Sequence, residues 1–211
     1  MNNAGIPGVM VDNAVSYKQL VVANISEISK SEPEETIDKA IVSENDTNEW
    51  AEQCLQTNYY GTKRVTEAFL PLLLLSHTPR IVNISSILGQ FKNISNEWAI
   101  GVLSNVEELT EEKVDEVINA YLKDRKEGWP TYFSAYKLSK AAINAYTRIM
   151  AKKYPQIIIN AVNPGFVRTD FTSNLGFFTP EEGAETSVNL ALLPKGAPSG
   201  LFFDIHDVSE F

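Results

Sequence analysis

Three short runs of β-branched and apolar residues punctuate the 211-residue chain: RIVNISS at 80–86, QIIINAV at 156–162 and GLFFDI at 200–205. They are too short and too evenly apolar for amphipathic helices, and read as strands buried on both faces. Helical stretches of ten or more residues separate them, and strands alternating with helices of that length build a parallel sheet covered on both sides. The expectation is a doubly wound α/β fold, with residues 1–211 forming one domain because the length suits one core rather than two.

The helices carry their own signals. A long helical pattern runs from about Asn48 to Leu75, and its last apolar run, FLPLLLL at 69–75, reads as the buried end of a helix. Between Thr110 and Lys126, Val114, Val117, Ile118, Tyr121 and Leu122 fall on one face, Thr110 caps the start and Gly128 follows the end. A further helix spans about Ser134 to Lys153, and Thr179-Pro180-Glu181-Glu182 has the form of a capping box with proline at the first helical position, opening a helix to about Pro194. The stretch Glu27–Glu49 holds eight acids against Lys30 and Lys39 and reads as a solvated loop or surface helix.

Charge and composition exclude several function classes. A net charge of -9 disfavours a nucleic-acid partner, since phosphate binding needs a basic surface. No apolar stretch approaches the ~18 residues of a membrane span. The start MNNAGIPG has neither a basic nor an apolar leader region, and the lone Cys54 has no partner for a disulfide, so a cytosolic (cytoplasmic) location is expected. Asp204-Ile-His-Asp207 alone does not make a metal site, because ligands must converge from more than one segment, and no metal is expected.

Chemistry enters with Tyr136-Lys-Leu-Ser-Lys140, which sets a phenol and an ammonium one helical turn apart on one face. A phenol titrates near ~10, and a neighbouring cation draws it toward neutral pH, making a workable acid/base pair. The spacing alone does not decide, since Tyr59-Tyr-Gly-Thr-Lys63 repeats it. Context separates the two. Ser85-Ser86 and Asn163-Pro164-Gly165 stand at the carboxyl ends of predicted strands, where open α/β sheets bind their ligands. Tyr59 lacks such neighbours.

In order, NNAG at 2–5, NYYG at 58–61, RIVNISS at 80–86, YKLSK at 136–140 and NPGFVRTD at 163–170 resemble the successive signatures of the classical short-chain dehydrogenase/reductases. The tail from TPEEGAE to PSGLFF is similar to the plant carbonyl-reductase branch, with its salutaridine and menthone or neomenthol reductases. The resemblance implies a Rossmann-like fold and NADP-dependent reduction of a ketone or aldehyde on an apolar small molecule, or oxidation of the secondary alcohol. It implies Asn58, Ser86, Tyr136 and Lys140 as catalytic: Tyr136 as proton donor, Ser86 as hydrogen-bond donor to the carbonyl oxygen, Lys140 on the nicotinamide ribose, and Asn58 holding a relay water. It further implies cofactor contacts at Asn3, Ala4, Gly5, Asn58, Tyr136, Lys140, Pro164, Gly165, Val167 and Thr169.

Residues 90–131 form a helical insertion between Ser86 and Tyr136, longer than in most of the family; in the similar branch it covers the dimerisation surface, implying a monomer. Trp98, Trp129, Phe133 and Phe166 either line an apolar pocket or pack the insertion onto the domain. One departure stands out. The family's NNAG motif closes a fourth strand, yet here it follows Met1, so the first βαβ units, roughly 80–90 residues at ~30 per unit, and their glycine-rich TG-x-x-x-G-I-G turn are missing. That turn supplies the backbone N–H groups that bind pyrophosphate. The alternative function is therefore a non-catalytic remnant that cannot hold cofactor alone.

Overall fold

The computed structural model describes residues 1–7, 47–129 and 133–211. Most of the acidic stretch Glu27–Glu49 and the end of the Gly5–Gly8 turn lie outside the described residues. The elements run α1 (Asn48–Leu55), a π-helical turn (Gln56–Tyr60), α2 (Gly61–Leu73), β1 (Arg80–Ile84), two 3-10 turns (Ile87–Gly89 and Phe91–Asn93), α3 (Glu97–Ser104), α4 (Glu111–Gly128), α5 (Ser134–Lys153), β2 (Ile158–Asn163), a 3-10 turn (Asp170–Thr172), α6 (Pro180–Ala191), β3 (Phe202–Asp204) and β4 (Asp207–Ser209).

The sheet has the order β1-β2-β3-β4, parallel through its first three strands. β4, a three-residue strand beyond those expected from the sequence, pairs antiparallel to β3. The DIHD segment is the turn of this hairpin, with Ile205 at φ 56 and His206 Nδ1 2.7 Å from Thr186 Oγ1. Alternation along the strands sorts the core into two layers. Ile81 and Ile159 face α1, α4 and α5 in the large cluster, whereas Val82 and Val162 meet Leu190 of α6 on the opposite face. Both faces are thus covered, as buried parallel strands require.

Local chemistry explains the helix boundaries. Thr179 Oγ1 accepts from the Glu182 N–H (3.2 Å) while the Glu182 carboxylate accepts from the Thr179 N–H (2.8 Å), a complete capping box with Pro180 at the first position. Thr110 caps α4 by accepting from the Lys113 N–H. Val114, Val117, Ile118 and Tyr121 are fully buried. α4 is strapped across the domain at its start, where Glu111 pairs with Lys63 of α2 (2.9 Å) and Lys153 of α5 (3.2 Å). Later in the helix, Arg125 donates to Asn48 Oδ1 (2.7 Å) and the Tyr121 hydroxyl meets Ser134 Oγ (2.9 Å).

One feature departs from expectation. The helical pattern from Asn48 runs on, with helical backbone at both junctions, through the π turn that carries Asn58, but the apolar run at 69–75 is mostly not buried. Leu70 is 8% exposed, but Phe69 is 55%, Leu72 62% and Leu75 78% exposed, and with Val65 (48%) they form an apolar stripe at helical spacing. The outer edge of β1 is met by Asn2: its N–H donates to Val82 O (2.9 Å) and its carbonyl accepts from the Ile84 N–H (3.0 Å). Even-numbered β1 residues bond toward Asn2 and odd-numbered ones toward β2, so Asn2 holds the place of a strand on the side away from β2.

The two leucines of α2 make a direct test. In urea unfolding, Leu70→Ala should lower stability by about 2–5 kcal/mol. Leu72→Ala, on the exposed face, should stay within about 0.5 kcal/mol of the parent. Equal losses at both positions would show that the stripe is buried against something else.

Candidate active site

β1 ends at Ile84 and delivers Ser85 and Ser86 to the rim of the sheet; β2 ends at Asn163 and delivers Pro164 and Gly165 beside them. The parallel direction of the two strands puts both ends on one side, and α5, packed over them, brings Tyr136 and Lys140 to the same place. These residues line one cavity of about 660 Å³, together with Asn3, Gly5, Val167 and Thr169. Of the positions implied from the sequence, only Ala4 and Asn58 are not in its lining.

Lys140 is the centre of the arrangement. Its ammonium donates to Ile84 O at 2.9 Å and lies 5.6 Å from the centroid of the Tyr136 ring. It is the only cationic side chain among the described lining residues. Burial pulls its pKa down to about 8, against an opposing pull from Cys54. The Cys54 thiol is pushed up to about 12 by its own burial, which leaves it an inert packing residue.

Asn58 sits behind the cavity and is fully buried. Its side chain forms a two-way clamp on Ile6, accepting from the Ile6 N–H (2.7 Å) and donating to the Ile6 carbonyl (2.9 Å), and donates also to Ser139 Oγ (2.9 Å). The amide therefore holds the Met1–Pro7 segment against α5 and brings Gly5 to the cavity. A Cβ on Gly5 would fall 3.5 Å from Asn58 Oδ1 and 3.6 Å from Lys140 Nζ. The π turn places Asn58 here, and such turns recur at functional positions; no change of periodicity in the sequence announces it.

The two serines divide their work. Ser85 Oγ donates to Lys140 O (3.3 Å), tying β1 to α5, while Ser86 Oγ accepts from the Leu88 N–H (3.2 Å) at the cavity's edge. The turn after β2 is equally fixed. Asn163 donates to Asp204 Oδ1 (2.7 Å) and accepts from the Gly165 N–H (3.3 Å). Gly165 has φ +80, and a Cβ there would lie 2.7 Å from the Phe178 ring, so glycine is required on both counts.

The aromatic expectations split. Phe133 and Phe166 line the cavity. Trp129 does not: it is 5% exposed and packs edge-on against Tyr121 in the core. Trp98 is 46% exposed and also outside the lining. Sequence reading missed Phe171, whose ring lies 6.0 Å from that of Tyr136, and the α6 residues Pro180, Gly183 and Ala184. The capping box was the available signal, since it fixes where α6 begins and so which residues its first turn turns toward the strand ends. Phe133, immediately before α5, adopts the left-handed conformation (φ 54) and sets its ring 6.5 Å from Tyr136.

The chemistry of this donor set suits the nicotinamide-ribose end of a dinucleotide: an ammonium, a close-approach glycine and a rigid turn face one cavity. A pyrophosphate cradle is another matter. The 211 residues contain no TG-x-x-x-G-I-G turn.

A family model described as enoyl-(acyl carrier protein) reductase matches residues 90–192. The chain is 49% identical over 221 residues to (+)-neomenthol dehydrogenase of Capsicum annuum, covering 100% of this chain and 70% of that protein. It is 39% identical over 177 residues to carbonyl reductase [NADPH] 1 of Homo sapiens, covering 76% of this chain and 62% of that one. Among solved structures, menthone neomenthol reductase from Mentha piperita superposes with a TM-score of 0.80 at 45% identity, over 97% of this chain and 69% of that chain. The protein thus spans about 70% of the length of the plant relatives it matches from end to end. Likeness of this extent, on a shared fold, makes the chain a member of the short-chain dehydrogenase/reductase family, among its plant menthone/neomenthol- and salutaridine-reductase-like oxidoreductases.

Proposed function

We propose that the chain carries the catalytic half of an NADP-dependent carbonyl reductase acting on a ketone or aldehyde of an apolar small molecule, or on the corresponding secondary alcohol. The observation that carries the proposal is that Ser86 after β1, and Tyr136 and Lys140 on α5, two stretches some fifty residues apart in sequence, line one cavity at the strands' carboxyl ends, walled by Phe133, Phe166 and Phe171. When bound, the reduced nicotinamide supplies a hydride to the carbonyl carbon. Tyr136 gives its phenolic proton to the carbonyl oxygen, and the Ser86 hydroxyl donates a hydrogen bond that orients the same oxygen. Lys140 holds the ribose hydroxyls, and its charge favours the phenolate left on Tyr136 after transfer. Asn3, Gly5, Pro164, Gly165, Val167 and Thr169 hold the nicotinamide end. Asn58 acts by clamping Ile6, which keeps Gly5 beside Lys140. The aromatic walls exclude water from the proton transfer.

The insertion at 90–131 covers the face formed by α2 and α5 through Glu111, Lys63 and Lys153, and supports a monomeric state by occupying a surface on which a second copy would otherwise dock. We place the protein in the cytosol; among the described residues no helix is long and apolar enough to cross a membrane.

A second reading is favoured by one observation: the sequence contains no glycine-rich phosphate-binding turn. Several charge-assisted hydrogen bonds, each worth ~1.5–3 kcal/mol, are then unavailable to the pyrophosphate. By this reading residues 1–211 alone are inert. Calorimetric titration of purified 1–211 with NADPH should give no micromolar binding; a micromolar isotherm from a monodisperse monomer would overturn it.

Activity is tested with the chain fused behind the N-terminal third of the Capsicum relative. There Tyr136→Phe should reduce carbonyl turnover by about 10²–10⁴-fold. Tyr59→Phe, at the decoy pair, should change turnover little: Tyr59 is fully buried away from the cavity and its hydroxyl has no hydrogen-bond partner among the described residues.

Lys140 also predicts a pH dependence of folding. Its pKa falls on folding from 10.5 to about 8, so above pH 8 the unfolded state binds more protons than the folded one and stability rises with pH. The Cys54 thiol, raised by its own burial from 9.0 to about 12, opposes that trend within pH 8–10, and the buried tyrosines Tyr59 and Tyr146, also raised by burial, oppose it at higher pH. The lysine is therefore read in a Cys54→Ala background: there urea midpoints should climb across pH 8–10 by the equivalent of about 2 kcal/mol, and Lys140→Met should flatten the rise. A midpoint independent of pH in the Cys54→Ala protein would refute the burial of a titrating amine.

A further inference from the structure

The turn after β1 and helix α5 touch backbone to backbone at one point. A Cβ on Gly89 would lie 2.6 Å from Lys140 Cβ, 2.7 Å from the Lys140 carbonyl carbon and 3.0 Å from the Ala141 nitrogen. None of these atoms is the far end of a flexible chain, so no side chain fits. The contact is also bonded in place: Asn144, fully buried and one turn beyond Lys140, donates from Nδ2 to Gly89 O at 3.0 Å. The Gly89 N–H in turn donates to Ser86 O at 3.0 Å, closing the turn on Ser86. From Ser86 to Asn144 there is a continuous path of short contacts, and Tyr136 stands one turn before Lys140 on the same helix.

We infer that Gly89 and Asn144 are positioning residues that set the distance between Ser86 and Tyr136. The inference rests on the reading of those two residues as the reacting pair. A strand end and a helix surface have no intrinsic separation; side chains between them normally decide it. Here the spacer has been removed, and α5 rests on the turn itself. Alanine at 89 must lift the helix by roughly an ångström to restore ordinary contact, and a displacement of ~1 Å in a reacting group can cost on the order of 10²-fold in rate.

In the fused chain described above, Gly89→Ala should lower kcat by about 10²-fold, a larger factor than any accompanying change in the calorimetric Kd for NADPH. On a Tyr136→Phe background the same substitution should add less than a twofold loss, because the geometry it spoils no longer matters; a merely structural defect would add its full effect there too. Asn144→Ala removes the hydrogen bond without steric load and should lower kcat by about tenfold at unchanged NADPH affinity, which keeps the test open should Gly89→Ala fail to fold. A Gly89→Ala or Asn144→Ala kcat within threefold of the parent overturns the inference, as does full additivity with Tyr136→Phe. If Tyr136→Phe by itself keeps turnover, the reacting pair was misidentified, and the inference falls with it by a separately visible route.

Discussion

A lysine amine with almost no access to water, donating to the last carbonyl of a strand, organises the described structure. Lys140 reaches from α5 to Ile84 O at 2.9 Å, and in doing so fixes how far along the sheet the helix sits. A buried ammonium demands partners, because an unpartnered one costs several kcal/mol of lost hydration. The demand draws β1, α5 and the Met1–Pro7 segment together: the amine sits at the strand's end, Gly5 passes beside it, and Asn58 secures Ile6 behind. Charge, hydrogen bonding and packing thus select one arrangement, and it is the one that puts a phenol and a serine hydroxyl on the same cavity.

The polar core beside it follows the same logic. Asn2 donates to Asn83 Oδ1 (2.8 Å) and Thr66 Oγ1 (3.1 Å), and Asn83 donates to Thr147 Oγ1 (2.9 Å). Buried amides are tolerated only when their partners are supplied, and these are supplied by α2, β1 and α5. Such a network specifies register more sharply than an apolar contact, since sliding the strand by one residue would strand each amide without its partner.

Much of this was legible in the sequence because it depends on periodicity and local chemistry. The three parallel strands, the apolar face of α4 and the Thr179–Glu182 capping box are properties of short windows. β4 was not, as three residues are too few to show alternation, and the Ile205 turn has a left-handed residue that sequence would assign to glycine or asparagine. The apolar run on α2 misled because hydrophobicity announces that a face wants cover without saying what covers it. The site divides similarly. Ser86, Tyr136 and Lys140 were found as motifs, but the role of Asn58 as a clamp on Ile6, and the approach of Phe171 to Tyr136, depend on contacts between segments far apart in the chain.

The two borders of the sheet have unequal characters. On one, β4 offers only three residues beginning with an exposed aspartate, a border too short and too charged to recruit another strand. On the other, β1 presents five residues, Arg80–Ile84, touched along its outer rim among the described residues by Asn2 at a single bridge. The sheet therefore has a direction of growth. A strand added to this sheet finds its free backbone partners beside β1, parallel to it in the place Asn2 begins to occupy, and not beside β4.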